Sequence, residues 1–268
     1  MALDILIAIF FFFVGIEITA TLTHPKQVFL PAISALGGMV IPAGIFLAIN
    51  PGSSAWATAM PTDLALALGV FALLGKGANP AARLFLLTLA VADDLFSLLV
   101  LALFYGDRLD IAHSASTLGA AALGAIIAMI PKAPVAKIVA VLSPLCTYFV
   151  IPIYVIAKLS NGISIDSLTS KTVLALTSAR IIGKIVGITL FAWFAIKLKI
   201  VQLPSNLRIA EIAGVGALAG MGLTVALVIS EVAVESQEIQ GEVKAGLIVS
   251  ALISGLIGFV WFKKLLAR

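Results

Sequence analysis

Nine stretches of about 20 apolar residues, separated by short polar turns, decide what this chain can fold into. They run over residues 3–22, 28–49, 57–75, 81–104, 114–131, 138–158, 172–196, 209–231 and 243–262. An α-helix rises about 1.5 Å per residue, so each stretch can cross the roughly 30 Å hydrocarbon core of a bilayer. The expected fold class is an all-α integral membrane protein with about nine transmembrane helices, since in lipid every backbone polar group must be satisfied internally. Composition agrees: 62% of the 268 residues are hydrophobic and 11% are charged, against about 45–50% and about 25% in soluble domains. Too few polar residues remain to cover a water-facing surface. This excludes a soluble enzyme, a disordered tail and a nucleic-acid module.

The connections are short and rich in turn residues, as at His24-Pro25-Lys26 and Asn50-Pro51-Gly52-Ser53. The first stretch carries Asp4 and Glu17 and no basic leader, so a retained helix is expected rather than a signal peptide. Cations collect on alternate connections: Lys26; Lys76 and Arg83; Lys132 and Lys137; Lys197, Lys199 and Arg208; then Lys263, Lys264 and Arg268. The positive-inside bias places this set and the C-terminus in the cytoplasm, and nine spans then place the N-terminus outside. The formal net charge of +4 reflects the same loops. Cys146 is the single cysteine and allows no internal disulfide, while His24 and His113 are too distant in sequence to suggest a zinc site. His113, at a span edge, reads as a satisfied interface residue rather than a pH sensor.

Two spans are interrupted. In the third, Met60-Pro61-Thr62-Asp63 places a proline, a hydroxyl and a carboxylate inside the apolar window; in the eighth, the glycine-dense run Gly214–Gly222 is followed by Thr224. Each lies at the centre of a three-helix group, and the loop charges insert the two groups in opposite senses. Paired Gly/Pro-interrupted segments at matching positions are the sequence pointer to an inverted-repeat transporter and to its ion site. A single polytopic domain over 1–268 is therefore expected, with a first core repeat at 28–104, connector helices at 105–171 and a second core repeat at 172–268.

A charge at the centre of a membrane helix costs roughly 2.5–3.5 kcal/mol on insertion scales, so intramembrane charges ask for a functional reason. Asp93 and Asp94 lie near mid-depth in the fourth span, Lys184 near the centre of the seventh with Arg180 one turn earlier, Asp63 in the third, and Glu17 toward the end of the first. Carboxylate oxygens suit a hard monovalent cation. Burial and a like charge alongside favour the protonated form of the same groups. One site able to hold either Na⁺ or H⁺ is the chemical basis of antiport. Neighbouring helix residues diverge by about 100°, so a division of labour is expected in which one Asp ligates and the other pairs with Lys184. Asp63 suits the positive N-termini of half-helices, and Lys184 suits either their negative C-termini or a salt bridge to Asp93.

At these residues the chain resembles the NhaA-type Na⁺/H⁺ antiporter family. The matching stretches are Phe12–Glu17, Pro61–Val70, Leu89–Leu95, Gly183–Ile188 and Gly220–Thr224, in the family's order and spacing over most of the chain. The resemblance implies an electrogenic exchanger of Na⁺ or Li⁺ for protons in a bacterial inner membrane, often a homodimer, with no cofactor beyond the transported ions. It implies Asp94 as principal cation ligand and Asp93 as its partner, exchanging between the ion and Lys184. Thr62 and Asp63 would lie where the broken helices cross, and Asp4 and Glu17 would line the approach. The chain departs from the family pattern in lacking the first helix and about two helices after Tyr105, and in carrying Arg180 where the family is apolar. Arg180 is expected to replace a cation lost with the missing helices. The alternative is a transport-inactive paralogue or membrane partner subunit.

Overall fold

The structure, a computed structural model, describes residues 2–22, 25–106, 111–130, 134–160 and 167–267. Among these residues the secondary structure is helical, without strands. Helices α1 (Ala2–Leu22) and α2 (Pro25–Ile49) are followed by a 3₁₀ segment (Ser54–Ala59), then α3 (Leu64–Leu73), α4 (Pro80–Tyr105) and α5 (Ile111–Met129). Helices α6 (Val135–Leu159) and α7 (Lys171–Lys197) come next. The chain ends with α8 (Ile209–Ala219), α9 (Thr224–Ala233) and α10 (Gln237–Leu266). Among the described residues, seven helical stretches are long and apolar enough to cross a membrane, and the pair α8–α9, bent by 52°, makes an eighth. The fifth expected span, 114–131, coincides with α5, of which Gly119–Met129 is a shorter apolar helix among the described residues. The side chains of His24 and His113, the loop cation Lys132 and the link at 107–110 lie outside the described residues.

Large apolar side chains such as Leu73, Leu103, Met129 and Leu252 point outward, where a soluble protein would carry charge. Helix starts are capped locally. Asn79 accepts from the Ala81 amide ahead of Pro80 at the first turn of α4, Ser170 caps α7 and Ser236 caps α10. Both expected interruptions are present. The third span passes from the 3₁₀ segment through non-helical Met60–Asp63 into α3, and the eighth breaks between Ala219 and Thr224. Pro61 cannot donate a backbone bond, and the Gly220–Gly222 stretch costs helix propensity, so both breaks are local consequences of sequence.

Apolar helices in lipid gain little from hydrophobic burial against each other, so close backbone approach carries their packing. Helix α2 lies along α7, and α1 along α5. A methyl group added at Gly187 would strike the carbonyl oxygen of Gly37, and one at Gly37 the carbonyl of Gly187. Gly124 and Gly15 hold the α1–α5 contact in the same way, against the Phe12 and Ala121 carbonyls. Because the obstacle is backbone, Gly187→Ala is expected to lose about 1–3 kcal/mol by overpacking. The thermal midpoint in detergent measures it, with Gly44→Ala on α2, which meets open space, as the control expected to stay at or above wild type.

Candidate ion site

The two interruptions meet. Asp63, at the start of α3, accepts through Oδ1 from the amides of Ala65 (3.0 Å) and Leu66 (3.3 Å). Its Oδ2 accepts from the amide of Thr224 (3.3 Å) and from the Thr224 hydroxyl (2.5 Å), at the start of α9. One buried carboxylate thus caps two half-helix N-termini, where the macrodipoles concentrate positive charge.

The opposite ends meet a guanidinium. Arg180 is wholly buried, and its hydrogen bonds go to four main-chain carbonyls at or next to the two breaks. Nη1 donates to Thr58 (2.7 Å), Nη2 to Pro61 (2.9 Å) and Gly222 (2.8 Å), and Nε to Gly220 (3.2 Å). Lys184, four residues on, is also fully buried but faces elsewhere: Nζ lies 3.0 Å from Asp93 Oδ2 and donates to Thr62 Oγ1 at 3.0 Å. A π-helical turn at Ala179–Gly183 carries Arg180 and ends at Lys184. Such widened turns are frequent at functional sites. Of the two partners open to Lys184 from sequence, it takes Asp93, and the carbonyl ends go to Arg180.

Asp94 turns away from that pair. It is half-buried and lines a cavity of about 70 Å³ together with Glu17, Thr62, Asp63 and Thr224. That volume has room for several water molecules. Asp94 Oδ1, like Asp93 Oδ1, is buried and has no hydrogen-bond partner among the described residues. Asp93 is absent from the cavity wall, in keeping with the angular divergence of adjacent helix residues. The structure therefore brings Thr62, Asp63, Asp93, Asp94 and Lys184 together, with Glu17 at the same cavity. Asp4 lies elsewhere. It borders a second, smaller pocket with Tyr154 and the ion pair between Lys158 and Glu231, because the 13 residues separating it from Glu17 span most of α1. Sequence reasoning passed over Ser143 and Thr147 of α6, which line the main cavity. Two hydroxyls spaced one turn apart in an apolar span were the available signal.

Membrane-length helices with two interrupted spans, joined at a capped acidic centre beside a small cavity that carries three acidic side chains, define the class of secondary ion transporters built on broken helices. The sequence model of the family described as Na⁺/H⁺ antiporter 1 matches residues 1–131 and 115–262, and the chain belongs to that family. It is 31% identical over 317 residues to the Na⁺/H⁺ antiporter NhaA of Escherichia coli (strain K12), covering 97% of this chain and 82% of the relative. The Citrobacter koseri protein of the same name is 30% identical over the same extents. An alignment of 317 positions against a chain of 268 residues contains at least 49 positions without a counterpart here, so the chain is internally shortened relative to these proteins.

Proposed function

We propose that this chain exchanges Na⁺ or Li⁺ for protons across a bacterial inner membrane by alternating access, its C-terminus cytoplasmic, with cation and protons competing for Asp94 and Asp93. The observation that carries this reading is the contrast between two adjacent acids. Asp93 is paired through Oδ2 with Lys184, both side chains fully buried and off the cavity wall, while Asp94 lines the cavity without a salt-bridge partner among the described residues. A carboxylate left unsatisfied at this depth is costly unless something binds it. Its ligands of choice are a proton or a hard monovalent cation.

No three acidic, His or Cys side chains among the described residues form a ready-made metal cage. A Na⁺ at Asp94 therefore completes its shell from Thr62, water and Asp93, the last released from Lys184. A proton on Asp94 removes the charge that holds the cation, and a second proton returns to the Lys184 amine, which gave one up when Asp93 was drawn to the cation, as Lys184 recovers Asp93. Movement of the crossed helices against α1 and α6 then exposes the site to the other side. The relatives' name, Na⁺/H⁺ antiporter, supports the same ions. The inactive alternative gains no support, because the intramembrane charges are gathered at one crossing rather than scattered.

Proteoliposomes with an imposed pH gradient test this. Na⁺ and Li⁺ are expected to dissipate the gradient and to leave a membrane potential, because more than one proton moves per cation. If one proton competes at the site, the apparent KM for Na⁺ rises about tenfold per pH unit as pH falls, and about a hundredfold if two compete. Absence of any Na⁺- or Li⁺-dependent proton flux between pH 6 and 9 overturns the proposal.

A further inference from the structure

We infer that Arg180 is a positioning residue of the ion site: it holds the carbonyl ends of both interrupted spans and so leaves Lys184 free to pair with Asp93 and Thr62 rather than with a helix end. The inference deepens the exchange reading above and rests on it. Charge compensation at the crossing supports the assignment. A half-helix end carries roughly half an elementary charge. The two N-termini that meet at Asp63 thus present about one positive charge to one carboxylate. The carbonyl ends, those of the 3₁₀ segment and α8, present about one negative charge to one guanidinium. Geometry agrees with charge, since a planar fork with fixed donors can reach carbonyls on two different breaks at once, as Arg180 does at Thr58, Pro61, Gly220 and Gly222. A lysine ammonium is a single point and cannot span them.

With the ends neutralised by Asp63 and Arg180, Lys184 has Asp93 as its salt-bridge partner. Lys184 can then lose and regain Asp93 during a cycle without loosening the crossing. The clamp fixes the backbone at Pro61, immediately before Thr62, and at Gly222, two residues before Thr224, so its removal moves side chains that line the cavity next to Asp94.

Two kinds of substitution test this by different routes. Arg180→Gln removes the charge. Gly222→Ala keeps the charge but places a methyl group against Arg180 Nη2 and the Pro61 carbonyl, which displaces the guanidinium. In proteoliposomes, with maximal rate and apparent KM for Na⁺ recorded separately across pH, both variants are expected to raise KM at least tenfold and to shift the pH profile. Arg180→Lys is expected to restore part of the Arg180→Gln loss. Exchange by the wild type in the same vesicles separates failure of this inference from failure of the functional reading. Should Arg180→Gln not insert, the other two carry the test. A wild-type KM and pH profile in Gly222→Ala and Arg180→Lys overturns the clamp, and a raised KM in both upholds it.

Discussion

Asp94→Asn is expected to abolish Na⁺-dependent proton movement, by at least a hundredfold, in a protein that still folds. The amide keeps the shape of the carboxylate and loses both of its transport properties, the negative charge that attracts Na⁺ and the ability to take up a proton. A hundredfold loss corresponds to about 2.7 kcal/mol, a modest demand for removing the charged ligand of a cation in a partly desolvated site. Folding has little stake in the charge, because Asp94 is half-buried and its Oδ1 engages no protein donor. Everted vesicles report exchange through a pH-sensitive dye, and scanning fluorimetry reports folding. The thermal midpoint should stay within a few degrees of wild type, while the stabilisation that Na⁺ or Li⁺ confers on the wild type by binding the native state disappears. Retained exchange in this variant would remove Asp94 from the site. Asp93→Asn is the informative contrast. It strips Lys184 of the carboxylate it pairs with, and a buried cation without a counter-charge destabilises strongly.

Much of this architecture was legible because lipid makes deviations conspicuous. An aspartate or a lysine within 20 apolar residues has few innocuous explanations, so Asp63, Asp93, Asp94 and Lys184 could be singled out before any coordinates. Proline and glycine marked both breaks for a comparable reason, since they are the residues that interrupt helical hydrogen bonding. The identity of the cation at the carbonyl ends was not legible. Arg180 and Lys184 are one turn apart on one helix, and both could be written opposite a negative helix end. Which one reaches it depends on a π-helical turn and on partners that are main-chain carbonyls, and carbonyls leave no trace in the order of side chains. The place of Asp4 was not legible for a simpler reason. Membership of the same helix as Glu17 says nothing about depth, and some 13 residues of rise carry Asp4 to a different pocket.

The largest structural effect is expected at Asp63, because one side chain there does the work of two helix caps. Asp63→Ala strands the Ala65 and Leu66 amides on α3, and the Thr224 amide and hydroxyl on α9, all of which now end on the two carboxylate oxygens. A lost cap costs about 1 kcal/mol, and each buried donor left without an acceptor about 1–3 kcal/mol. The adjoining cavity lets water recover part of that, so the net loss expected is about 3–5 kcal/mol. Two positive helix ends would also face each other without a counter-charge, next to a buried Arg180 whose field is no longer offset. Asp63→Asn should fall between. Its amide oxygen can still cap α3, and its NH₂ group can donate to the Thr224 hydroxyl but opposes the Thr224 amide, so the α9 backbone loses its cap. The coupling is testable by adding Thr224→Ala to Asp63→Ala. Because the two single variants remove one shared contact, their effects in SDS-induced unfolding should sum to more than the double variant shows, by about 1–2 kcal/mol. Strict additivity, or an Asp63→Ala protein as stable as wild type, would mean that the two breaks are not held together at this carboxylate.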